Sequence, residues 1–147
     1  MKMKLIAAAV VLAGVGLGAA IAQDGTHEAR SALMKKVGGS AGALAAIAKG
    51  EKPYDADAVK TALTTISETA KVFPNQFPAG SETGDKAASP KIWENMSDFK
   101  ARAEKLSTDA ETLVAQLPAD AAAVGAAVKS LGANCSGCHE NYRIKVD

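Results

Sequence analysis

Aromatic residues make up only 4% of this 147-residue chain, and its 32 alanines outnumber the 24 β-branched residues. Strands draw on branched and aromatic side chains, whereas alanine is the best helix former, so a β-sandwich or barrel is excluded and an all-α fold expected. A charge surplus is missing too. Seventeen Lys and Arg face sixteen Asp and Glu, a formal +1, which lacks the basic excess that binding nucleic acid requires. With 48% hydrophobic and 22% charged residues, the composition is that of a folded protein and not of a disordered tail. Cysteine is limited to two residues, proline to five. The length leaves room for one domain.

Long apolar runs are absent after residue 22, which makes the one at the N-terminus stand out. Lys2 and Lys4 precede an apolar stretch, and Ala20-Ile21-Ala22 has the small-x-small form of a signal-peptidase site. Residues 1–22 therefore read as a cleaved signal peptide that sends residues 23–147 to the periplasm as a single domain. The uncharged run from Leu5 to Ala22 is just long enough to span a bilayer. Gly14, Gly16 and Gly18 weaken it as a stable membrane helix, so no anchor is expected after cleavage. Loss of Lys2 and Lys4 leaves 15 basic groups against 16 acidic ones in 125 residues.

Downstream, apolar residues recur at alternating spacings of three and four in four segments, the pattern of helices packed in a bundle. The first runs from after Thr26 to about Lys49, with Arg30, Met34, Val37, Ala41, Leu44 and Ala48 on one seam and Gly50 as the stop. The second starts at Asp55 and ends at Pro74, with Val59, Leu63, Ile66, Ala70 and Phe73 inward. A polar linker broken by Pro74, Pro78, Gly80 and Gly84 reaches Ser89, where Ser89 and Pro90 open a third helix running to Leu117. The fourth begins near Asp120, with Val124, Leu131, Cys135, Cys138 and Tyr142 on its seam, and continues to the C-terminus. Short first and last connections imply an antiparallel four-helix bundle.

Both cysteines fall in Cys135-Ser136-Gly137-Cys138-His139. This is the C-x-x-C-H pattern of c-type haem attachment: two thiols can add to the two vinyl groups of one haem, and the adjacent imidazole can ligate iron. A redox C-x-x-C normally opens a helix after a strand, and here it lies late in a long helix. Structural zinc wants four ligands, and His27 is the only histidine outside the motif. One covalently attached haem c is the expected cofactor. Only eight residues follow His139, so any sixth iron ligand comes from upstream: Met34, Met96 or His27.

These features resemble the cytochrome c′ family of class II c-type cytochromes. The resemblance covers the whole chain after residue 22: Arg30 with Met34, Ala48 to Asp55 at the first turn, Phe77 to Gly84 in the long loop, Pro90-Lys91-Ile92-Trp93, and Cys135 to Arg143. It implies a periplasmic, often homodimeric protein with five-coordinate iron that binds CO and NO and can pass electrons to a periplasmic redox partner not identified by the sequence. Cys135 and Cys138 would form the thioethers, His139 would be the proximal ligand, Arg30 would pair with a haem propionate, and Met34 would cover the distal face. The low-spin c-556 relatives resemble the chain almost as well and use a methionine at the Met34 position as sixth ligand. Arg30 and the Gly80 to Gly84 loop look more like cytochrome c′, so open iron is the leading expectation and His/Met ligation the alternative.

The residues themselves bear on these roles. A charged Arg30 on an apolar seam is costly unless paired, either with a propionate or with a carboxylate such as Glu28 or one on the second helix. The polarizable thioether of Met34 can pack or ligate. Trp93 and Phe99 suit the core or the pocket wall, Arg143 either tunes the proximal side or stays a solvated rim charge, and His27 is expected at the surface. Gly38, Gly42 and Ala46 recur every four residues at a cost in helix propensity, which calls for a close contact with the second helix or with a second copy of the chain. A haem enzyme needs polar groups above the iron, and this seam offers Met34 and alanines, so no catalytic residue is assigned and a carrier or gas binder is favoured.

Overall fold

The computed structural model describes residues 25–146; the signal-peptide reading of residues 1–22 lies outside them. Each long helix begins at a residue suited to capping. The Thr26 hydroxyl accepts from the Ala29 N–H and starts α1, His27–Ala48; the Asp55 carboxylate accepts from the Ala58 N–H and starts α2, Ala56–Val72. Gly50, at φ +73°, turns the chain after α1 in a backbone region that costs glycine nothing.

The linker opens as a 3₁₀ turn, Phe73–Gln76, and then follows the surface of the bundle. It is polar, as its sequence implies, yet Gln76, Phe77, Asp85, Ala88 and Ser89 are buried along it. The third helix departs from the single element expected. It divides into α3, Lys91–Glu94, and α4, Met96–Ala115, because Asn95 leaves the helical region at φ −135°, ψ 54°. Asparagine competes poorly for helix interiors, and here it ends one helix and opens the next. Ile92 and Phe99 then both enter one aromatic cluster. The last helix, α5, spans Ala121–Tyr142 behind the Asp120 cap and stops short of the C-terminus. The chain after it returns to the linker: the Ser89 N–H donates to the Tyr142 carbonyl at 3.0 Å, and the Ile144 N–H to that of Ala87 at 2.9 Å.

In cross-section α1 packs on α2 and α5, and α4 packs on the same two, which closes an antiparallel four-helix bundle. Its main core is aliphatic, with Leu44, Val59, Leu63, Ile66 and Val124 almost fully buried. The seam residues expected for α2 lie inward, Phe73 only in part. On α1 the inward stripe is rotated toward Leu33 and Ile47, which leaves Met34, Ala41 and Ala48 at its edge. A second core of Phe77, Ala88, Ile92, Phe99 and Tyr142 fills the end of the bundle beneath the linker. No heavy atom lies within 4 Å of where a Cβ would sit at Gly38 or Gly42, so these glycines do not serve a close approach of α2. Among the described residues no helix is long and apolar enough to cross a membrane.

Candidate haem site

Between α1, α5 and the aromatic end of the bundle lies a largely apolar cavity of about 600 Å³. That is within the roughly 300–1,000 Å³ of sites for cofactors and small ligands. Cys135, Cys138 and His139 line it from α5, and Arg30, Met34 and Gly38 from α1. The helical fold of Cys135 to His139 brings both thiols and the imidazole to the same space.

Burial adjusts their chemistry. It pushes both thiols above the usual cysteine value, with Arg102 pulling partly the other way at Cys138, so at neutral pH they are protonated. Burial also lowers the His139 pKa, helped by nearby Arg143, which favours the neutral imidazole that a metal requires. Two unjoined thiols and a neutral imidazole on an apolar cavity are the donor set that haem c needs. The residues fit the group. Among the described residues no three His, Cys, Asp or Glu side chains gather as a zinc site would require, and His27 is turned to Asp85, its Nδ1 2.8 Å from Oδ1.

Arg30 is 4% exposed and lines the same cavity. Its Nε donates to the Gln76 carbonyl at 2.9 Å, Nη1 to Asp85 Oδ2 at 3.2 Å, and Nη2 to the Ser81 carbonyl and hydroxyl. The guanidinium also stacks on Phe77, 4.1 Å from the ring centroid, and faces Trp93. The carboxylate beside it thus comes from the linker, not from Glu28 or α2, and a haem propionate would share Arg30 with Asp85. Burial works against the Asp85 charge, but hydrogen bonds from His27, Arg30 and the Ala87 N–H prevail and hold its carboxyl below the ordinary range.

Met34 is only partly buried, packed at the edge of the aliphatic core. Phe99 is both core and cavity wall. Trp93 instead braces the linker, donating from Nε1 to the Pro78 carbonyl at 3.2 Å. Arg143 reaches the cavity rim from an exposed position. Asp85 and the pair Asp98 and Arg102 are not among the residues that sequence pattern singles out. An i, i+4 charge pair is a visible signal for the latter, whereas nothing in local spacing connects residue 85 to residue 30.

A family model described as cytochrome c′ matches residues 26–143. Cytochrome c-556 of Agrobacterium tumefaciens (strain apple 185) is 65% identical over 126 residues, 86% of this chain and all of that one. Cytochrome c-556 of Agrobacterium fabrum is 58% identical over 99% of this chain and 98% of its own. The structure of cytochrome c′ from Rhodopseudomonas palustris superposes with a TM-score of 0.76 at 34% identity, over 84% of this chain and 98% of that one.

Proposed function

The chain belongs to the cytochrome c′ family, periplasmic proteins with covalently attached haem c; from that premise we propose that it is a one-electron carrier in which Cys135 and Cys138 hold the haem and His139 and Met34 ligate its iron. The observation that carries this reading is the placement of Met34 and His139 on the walls of one apolar cavity. The 65% and 58% identity to two cytochromes c-556 supports it further. Bound haem supplies a one-electron iron couple. The protein supplies thiols for attachment, a neutral imidazole, a thioether and an apolar wall. The cavity wall is largely apolar, and two of its polar groups, Arg30 and His27, are engaged with Asp85 and the linker, which suits a carrier better than an enzyme. Residues 1–22 are the export signal in this reading.

The gas-binding reading, with five-coordinate iron open to NO and CO, has its own support in the space beside Gly38, one turn from Met34, where the thioether could rest away from the iron. Absorption and electron paramagnetic resonance spectra of the ferric and ferrous protein separate the two. The electron-carrier assignment expects low-spin iron in both states, and a high-spin ferrous protein transfers it to the gas binders. Mass spectrometry of the same material is expected to show a chain starting at Gln23 with one haem retained under denaturing conditions; an apo chain with a Cys135–Cys138 disulfide refutes both.

A further inference from the structure

Arg102 lies 33 positions before the first cysteine and packs against the attachment turn in space. Its Nη1 donates to the Gly137 carbonyl, between the two cysteines, at 2.8 Å. The same oxygen accepts from Asn141 Nδ2 at 3.0 Å. Nε of Arg102 donates to Asp98 Oδ2 at 2.6 Å, one turn earlier on α4, and that carboxylate oxygen accepts the Tyr142 hydroxyl at 2.5 Å. Tyr142 is itself buried, its ring edge-on to Phe99 at 5.2 Å. Through this chain α4 grips the end of α5 at two points that flank His139, two residues before it and three after.

The two charges are not placed symmetrically. Arg102 lines both the cavity shared by Cys138 and His139 and the polar cleft beside it, whereas Asp98 lines only the cleft, with Lys91, Glu94 and Asn95. A cation on the cavity wall favours the state of the bound iron with one positive charge fewer, and its anion, set further out, cancels only part of that effect. We propose that Arg102, held by Asp98, is a positioning residue for the attachment turn: its bond to the Gly137 carbonyl orients the helix end bearing Cys138 and His139, and its charge raises the reduction potential of the bound haem. The proposal rests on His139 as the iron ligand.

The test uses the haem-loaded full chain and its Arg102→Gln, Arg102→Lys and Asp98→Asn variants. Potentials are read by spectroelectrochemical titration, and order of the turn by hydrogen exchange of the amides in 135–142. Arg102→Gln is expected to keep the parent's axial-ligand spectrum while shifting the reduction equilibrium about tenfold toward the oxidised state, ~59 mV for one electron, with faster exchange in 138–142. Arg102→Lys should restore the potential but not the protection, because an ammonium cannot fork between Asp98 and Gly137 as a guanidinium does. Asp98→Asn should raise the potential and speed exchange around Tyr142. Potentials within error of the parent in all three variants, or exchange as slow as the parent's in Arg102→Gln, overturn the proposal. If Arg102→Gln does not accumulate, the lysine variant decides alone: potential and protection both kept, or both lost, refutes the split. A His139→Ala chain that retains the parent's spectrum would instead defeat the ligation on which the proposal rests, and that outcome is read without reference to Arg102.

Discussion

Arg30 and Met34 lie one turn apart on α1, and the sequence weighs each between two roles. For Arg30 the fold supplies hydrogen-bond partners from three residues of the linker, 46 to 55 positions away, and two aromatic faces. Asp85 depends on that cluster in return. Its pKa is lower folded than unfolded, so its contribution to stability is complete above the unfolded carboxylate value of about 4 and is lost as pH falls through the folded value. Asp85→Asn should cost about 2 kcal/mol at pH 7 and flatten the decline of stability below about pH 4, as checked by urea unfolding from neutral pH downward. For Met34, substitution by alanine should convert low-spin iron to high-spin. If the thioether leaves the iron about 1% of the time, its removal tightens CO binding about a hundredfold, which a CO titration of the ferrous protein measures. A Met34→Ala protein that stays low-spin would assign the sixth position to another group.

At the scale of elements, the starts of α1, α2 and α5 are legible because capping chemistry is local. Thr26, Asp55 and Asp120 each accept from the backbone three residues on. Asp120→Ala should lower stability by about 1 kcal/mol without altering the haem spectrum, a result visible as a lower Tm; an unchanged Tm would mean that packing of α5 alone sets its start. The break at Asn95 is not legible in the same way. The apolar spacing continues through it from Ile92 to Leu117, so nothing in the pattern marks the residue where the backbone leaves the helix. The linker is a similar case. Its composition describes an irregular segment correctly and says nothing of Phe77 and Asp85 being buried against α1.

On the scale of the whole molecule, the four-helix bundle leaves the small-residue stripe of α1 without a tight neighbour at Gly38 and Gly42. Of the two explanations weighed from sequence, contact with α2 is removed. Dimers are known in the family; if this chain dimerises through α1, the stripe around Gly42 lies in the interface. Gly42→Leu should then shift sedimentation toward the monomer. Within the monomer the same change should raise helix stability by up to about 1 kcal/mol, so an unchanged dimer with a lowered Tm would place the stripe inside the bundle instead.

Features that depend on neighbours along the chain can be read from the order of residues. The alanine-rich seams specify helices, the caps begin them, and Cys135, Cys138 and His139 share a turn, so cofactor class and fold class follow from spacing alone. Tertiary structure decided what depends on segments far apart meeting. It set Asp85 beside Arg30, and Arg102 beside the Gly137 carbonyl. It also put Met34 of α1 and His139 of α5 on the walls of one cavity, which α4 and the linker complete. A hydrogen bond or a charge pair is won by distance in space, and burial makes each such pairing matter more; neither quantity is written in the order of residues until the helices pack.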